Sequence, residues 1–250
     1  MIFRQLFESD SSTYTYLLAC PQTSQAILID PVLETVERDI QLLRAMNLSL
    51  YATLETHVHA DHLTGALRLK QLLGSRIAYP AMDDLPCADI GVREGEAFQF
   101  GSVSIHPLFT PGHTAHHHAY LVDTPVMQMS FTGDALLIEA CGRTDFQSGN
   151  AETLYNSIHN KLFSLPDDTL VYPAHDYEGR RLTTVGQEKI RNPRLGGGMS
   201  KEAFVKIMNG LDLPYPRKID FAVPGNELCG RCPDNVPDQY QGPCAVYDQG

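Results

Sequence analysis

The run Thr56-His57-Val58-His59-Ala60-Asp61-His62 constrains this chain more than any other feature. Three imidazoles and a carboxylate fall within six positions, between an apolar stretch that reads as a strand (50–55) and one that reads as a helix (64–73) with Gly74 as its stop. A loop leaving a strand end can turn several side chains toward one point. Neutral imidazole and carboxylate are the usual donors for first-row metal ions. A single histidine is more simply a hydrogen-bonded surface or core residue, but a cluster this dense is not.

The pairing of strand end and ligand-type side chain recurs. His113 in Thr110-Pro111-Gly112-His113-Thr114 follows a predicted strand at 103–109. Asp134 in Phe131-Thr132-Gly133-Asp134 follows one at 126–131, and His175 in Tyr172-Pro173-Ala174-His175-Asp176 follows one at 169–172. Strand ends are where an open α/β scaffold builds its site. His106 and His159 have no ligand spacing around them and read as structural. His116-His117-His118 alternate faces on a strand, so at most some of them point to a site.

The rest of the pattern is α/β (α+β). Strands are expected at 2–8, 14–20, 25–30 and 119–122. Helices are expected at 34–46, with Val36, Ile40 and Leu43 on one face, at 151–163, with Leu154, Ile158 and Leu162, and at 184–191 and 201–208. Residues 1–228 read as one domain and 229–250 as an irregular tail rich in Pro, Gly and Cys.

Composition narrows the function. Of 250 residues, 43% are hydrophobic, enough for a sizeable core, and the net charge of -11 argues against binding nucleic acid or an anionic membrane. No apolar run is long enough to span a bilayer, and no basic stretch followed by an apolar one opens the chain, so a cytoplasmic protein is expected. In a reducing compartment the six cysteines are expected as free thiols. Cys229-x-x-Cys232 with Cys244 lacks a fourth ligand for a closed zinc site, which leaves a redox or sulfur-handling pair as the other reading.

His57-x-His59-x-Asp61-His62, then His113, Asp134 and His175 in order, resembles the signature of the metallo-β-lactamase superfamily. That resemblance implies an αββα sandwich, two mixed sheets with helices outside. Further residues sharpen it: Leu28-Ile29-Asp30-Pro31, Cys141-Gly142-Arg143-Thr144-Asp145-Phe146-Gln147, Tyr172-Pro173-Ala174-His175-Asp176-Tyr177 and Asn192-Pro193-Arg194-Leu195. Together they resemble the persulfide dioxygenases, or sulfur dioxygenases, of the superfamily, over residues 3–229.

This second resemblance implies a mononuclear non-haem iron enzyme of sulfide detoxification. It would oxidise glutathione persulfide with O₂ and water to sulfite and glutathione. One Fe(II) per chain would be held by His57, His113 and Asp134. Two imidazoles and one carboxylate leave coordination positions for a sulfur and for O₂, whereas zinc has no accessible redox change. His59, Asp61, His62 and His175 would surround that ion and orient ligands and water. Asp61, His62 and His175 would also assist the reaction, Asp61 as a proton acceptor.

Arg143, Arg194 and Tyr177 would bind glutathione, because a guanidinium grips a carboxylate bidentately. Ion pairs with Asp145 or Asp176 are the alternative role for the two arginines. Arg180 and Arg181 read as solvated charges. The expected partners are glutathione persulfide and O₂, with a homodimer possible. The alternative function is a binuclear thioester hydrolase of the glyoxalase II kind, in which the same seven residues hold two ions. A non-catalytic metal-binding or sulfur-carrier module is a third reading, which the complete constellation disfavours.

Overall fold

The computed structural model describes residues 1–247. Its strands are β1 (Ile2–Glu8), β2 (Thr13–Ala19), β3 (Gln25–Ile29), β4 (Ser49–Leu54), β5 (Arg76–Pro80), β6 (Ile90–Val92), β7 (Phe98–Phe100), β8 (Val103–Phe109), β9 (His118–Asp123), β10 (Gln128–Gly133), β11 (Leu170–Pro173) and β12 (Thr183–Thr184). Its helices are α1 (Val36–Ala45), α2 (Ala66–Leu73), α3 (Ala151–Ser157), α4 (Val185–Arg191), α5 (Lys201–Asn209), α6 (Ile219–Asn226) and α7 (Gln241–Tyr247). The chain forms two compact units. One holds residues 1–91, 100–103 and those from 215 onward; the other holds 92–99 and 104–214.

The first unit is built on a six-stranded mixed sheet in the order β1-β2-β3-β4-β5-β6. β1, β2 and β3 pair antiparallel, as short turns between them allow, while β3, β4 and β5 pair parallel. A parallel pair needs a crossover, and α1 and α2 supply the two. The apolar stripe of α1 explains its position: Val36, Ile40 and Leu43 are buried with Leu17, Leu28, Leu69 and Phe221. β2 is buried at every residue, which suits a central strand covered on both faces.

The second unit is built on the sheet β12-β11-β10-β9-β8-β7, also mixed. β8, β9 and β10 are antiparallel, and β10 pairs parallel with β11. α3 makes that crossover. The Asn150 side chain caps it by accepting from the Thr153 N–H. The single helix expected over 151–163 changes at Ile158 to one π-helical turn, Ile158–Leu162. Leu154, Ile158 and Leu162 still face one core, with Phe204 and Val171. The register of β10 against β11 shifts between Phe131 and Gly133, just before Asp134. Such an irregularity re-aims the side chain that follows it.

The cysteine expectation is overturned. Cys87 pairs with Cys229, and Cys232 with Cys244, so only Cys20 and Cys141 are free thiols among the described residues. The segment from 229 includes α7, and Val236 and Cys244 are buried in the first unit's core. The last three positions of the expected tail, 248–250, lie outside the described residues. Among the described residues no helix is long and apolar enough to cross a membrane.

Candidate metal centre

In the first unit the site grows from the C-terminal end of β4. The carboxylate of Asp30, one residue past β3, accepts from the Thr56 N–H (2.7 Å) and from the Thr56 hydroxyl (2.9 Å). That hydroxyl has spent its proton, so it accepts from Nδ1–H of the adjacent His57 (2.9 Å). The imidazole tautomer is thereby set, with the lone pair on Nε2, the atom a metal ion would take. All three groups are buried.

His59 and His62 are held differently. His59 Nε2 lies 3.2 Å from Asp30 and 3.4 Å from Glu55, both fully or almost fully buried. Burial alone would lower the imidazole's pKa. The two carboxylates outweigh it and raise it to about 10. Glu55 moves above the usual carboxylate range, chiefly by burial. His62 Nδ1 is 3.0 Å from the Asp61 carboxylate. The Thr13 hydroxyl also donates to Asp61, at 3.3 Å. His59 Nδ1 and His62 Nε2 are buried with no hydrogen-bond partner, and His59, Asp61 and His62 bring one donor atom each within 4.8 Å of one another. Buried nitrogens are costly to leave unsatisfied, and a metal ion, on displacing the proton that the carboxylates favour on His59, is one way to satisfy them. The donor chemistry of this loop therefore fits a metal ion.

In the second unit His113 and Asp134 face each other, Nε2 to Oδ2, at 3.4 Å. His113 Nδ1–H donates to the Arg143 carbonyl (2.7 Å), which again directs the lone pair to Nε2. His175 Nδ1–H donates to Asp134 Oδ1 (2.7 Å), leaving Oδ2 as the oxygen turned to His113. Two residues to which the sequence assigned no role of their own complete this cluster. His117 Nε2 accepts from the Asp134 N–H (3.1 Å), while its Nδ1 is 2.8 Å from the Thr110 hydroxyl. Gly142 passes so close that a Cβ there would lie 2.4 Å from the Asp134 carbonyl oxygen and 2.7 Å from His113 Nδ1. In Cys-Gly-Arg the glycine thus permits the approach and the next carbonyl orients the histidine. His118 instead places Nδ1 2.9 Å from the His116 carbonyl, and burial lowers its pKa.

The substrate-binding candidates are placed unevenly. The Arg143 guanidinium makes a bidentate pair with Asp145 (2.6 and 2.7 Å) and donates to the Pro214 carbonyl (2.9 Å), so the ion-pair alternative is the arrangement present. It lines a cavity of about 280 Å³ with Thr144, Asp145, Met208, Leu211 and Leu213. Arg194 reaches the Cys141 carbonyl at 3.4 Å. The Asn192 amide in the same motif ties Ala140, Glu188 and the backbone of Arg194 and Leu195 together. Tyr177 is 76% exposed, its ring stacked 6.2 Å from that of His175. Arg180 departs from the expectation of a solvated charge: it is bound to Asp176, Glu139 and the Ile138 carbonyl. Cys141 is buried, which pushes its thiol up to about 11 and makes it a poor nucleophile.

Residues 9–175 match the model of the metallo-beta-lactamase superfamily, and the chain belongs to that superfamily, whose fold of two mixed sheets with helices it shares. Within it, the chain is 47% identical over 230 residues to the mitochondrial persulfide dioxygenase ETHE1 of Homo sapiens, covering 92% of this chain and 89% of that protein. The crystal structure of ETHE1 from Myxococcus xanthus matches with a TM-score of 0.88 at 49% identity, over 92% of this chain and 100% of that one. The hydroxyacylglutathione hydrolase of Pseudomonas putida is more distant, 31% identical over 204 residues, 82% of this chain and 77% of that protein.

Proposed function

We propose that this chain is an iron-dependent persulfide dioxygenase that oxidises glutathione persulfide with O₂ and water to sulfite and glutathione. The observation that carries the reading is the likeness to the ETHE1 persulfide dioxygenases, at nearly half identity over nearly the whole of both chains. On this reading His57, His113 and Asp134 would hold one Fe(II), which would supply the redox chemistry with dioxygen. The residues around it set up the ligands. Thr56 and the Arg143 carbonyl fix the two imidazoles with Nε2 outward. His175 occupies Asp134 Oδ1, so the carboxylate serves through Oδ2.

Asp61, about one-third exposed and hydrogen-bonded by Thr13, is the proton acceptor when water enters. His62 orients Asp61. Tyr177 and Arg194 contact the glutathione moiety, and Arg143 shapes the wall of the cavity that receives it. One feature favours the second reading, the binuclear thioester hydrolase: the donor group His59, Asp61 and His62 is suited to another ion.

Metal analysis with oxygen uptake separates the two. Near one iron per chain, and uptake with glutathione persulfide that yields sulfite, is expected. Two zinc ions per chain, no uptake, and turnover of S-lactoylglutathione would reverse the assignment.

A further inference from the structure

The C-terminal part of the first unit wraps the loop that carries the histidine cluster. Asn226, the last residue of α6, is fully buried. Its Nδ2 donates to the carbonyls of His59 (2.9 Å) and His62 (2.8 Å), and its Oδ1 accepts from the Thr64 N–H (2.9 Å). Two acceptors and one donor leave a single orientation for the amide. One side chain thus satisfies three backbone groups across residues 59–64, groups that no strand or helix pairs.

The following turn adds to the grip. The Leu67 N–H donates to the Cys229 carbonyl (3.0 Å), and Gly230, at φ +93°, lies so near that a Cβ would sit 2.1 Å from the Thr64 carbonyl oxygen. Cys229, three residues beyond Asn226, is bonded to Cys87, which follows β5. No side chain in this collar is of a ligand type, apart from the oxidised cysteine, so its role is to hold the loop rather than to touch an ion.

We propose that Asn226 is a positioning residue for the iron site, that it fixes the backbone from which His59, Asp61 and His62 project, and that the Cys87–Cys229 disulfide keeps Asn226 in place. The inference rests on the proposed iron site, in which His57 at the start of this loop is a ligand and His59, Asp61 and His62 surround the ion. It couples the site to a bond that takes no part in the reaction.

The test compares the parent with Asn226→Ala, Asn226→Asp and Cys87→Ser. Amide hydrogen exchange is followed in iron-free protein, Fe(II) affinity by competition with a chelator, and kcat and KM in iron-saturated protein. Asn226→Ala should raise exchange over residues 58–67 and leave other protected amides as in the parent. It should weaken Fe(II) binding by about 10- to 100-fold, the usual cost of losing outer groups that orient a site's ligands, because the loop it holds begins next to the ligand His57 and carries the residues that would surround the ion. In the iron-saturated state kcat should fall and KM for glutathione persulfide stay unchanged.

If the alanine variant does not fold, Asn226→Asp carries the test. It keeps the acceptor for Thr64 but loses both donors, so exchange rises at 58–62 and Thr64 stays protected. Cys87→Ser should show the alanine pattern at smaller amplitude. Parental exchange and parental Fe(II) affinity in the Asn226 variants overturn the proposal. So does a uniform rise in exchange across the first unit, or looser exchange with unaltered Fe(II) affinity. A parent that binds no iron while Asn226→Ala still loosens 58–67 overturns the iron reading and not the hold of Asn226 on the loop.

Discussion

At the scale of single residues, the site separates groups that carry chemistry from groups that carry position. His113 and Asp134 belong to the first kind. His113→Ala should lose iron and oxygen uptake together, as read by metal analysis and an oxygen electrode. Gly142 belongs to the second. A methyl group there meets the Asp134 carbonyl oxygen and the His113 ring well inside contact distance. Gly142→Ala should therefore lower Fe(II) affinity by about tenfold or more while far-ultraviolet circular dichroism is retained; unaltered affinity would mean that the backbone yields without moving either ligand.

Arg143 is committed to Asp145 and Pro214, yet its own carbonyl orients His113. Arg143→Ala keeps the carbonyl, so iron should be retained and KM for the persulfide should rise. Loss of iron in that variant would make the guanidinium a prop for the loop instead. The ligand-type residues were legible in the sequence because imidazole and carboxylate announce their chemistry by type. The roles of His117, Gly142, Asp30 and Asn226 were not, since each acts through a neighbour that only the fold supplies.

At the scale of elements, strands with apolar runs were legible within a residue or two. β1 and β8 match the expected spans, and β3 and β4 differ only at their ends. The misses have physical causes. α6 contains Pro224 and Gly225, which sequence rules read as breakers; it survives because Phe221 and Ala222 are buried in the core beside Leu63 and Leu69. β12 has two residues, too few to show a period.

α1 carries a cost hidden from its pattern. Asp39 is fully buried, and burial raises its carboxyl from 3.8 to about 6 against the opposing pull of Arg38. A carboxyl raised in the folded state contributes stability below its unfolded pKa and loses it as pH rises through the folded one. Replacing it with a neutral side chain removes that dependence. The stability of Asp39→Asn relative to the parent should thus improve by roughly 2 kcal/mol between about pH 4 and about pH 7.5, as read by urea unfolding. A difference independent of pH would show that Asp39 titrates normally.

At the scale of the whole molecule, connectivity decides what the disulfides do. The chain leaves its first unit after residue 91, re-enters it for 100–103, and returns for good at 215. Cys87 and Cys229 stand just outside those two crossings in sequence, so their bond closes a segment that contains the entire second unit. Its sequence separation is 142, against 12 for Cys232–Cys244. In the chain-entropy account a bond destabilises the unfolded ensemble in proportion to the logarithm of the loop it closes, about 5 kcal/mol for the long loop and about 3 kcal/mol for the short one. Removing the long link should therefore lower the thermal midpoint more than removing the short one, with Cys87→Ser and Cys232→Ser compared by calorimetry on iron-free protein. Before that comparison, the denatured, unreduced chain should expose two reactive thiols, those of Cys20 and Cys141, and six after reduction. Six thiols without reduction would remove both links and the ranking with them. Two thiols with an inverted ranking would place the long link's effect in native strain rather than in the unfolded chain.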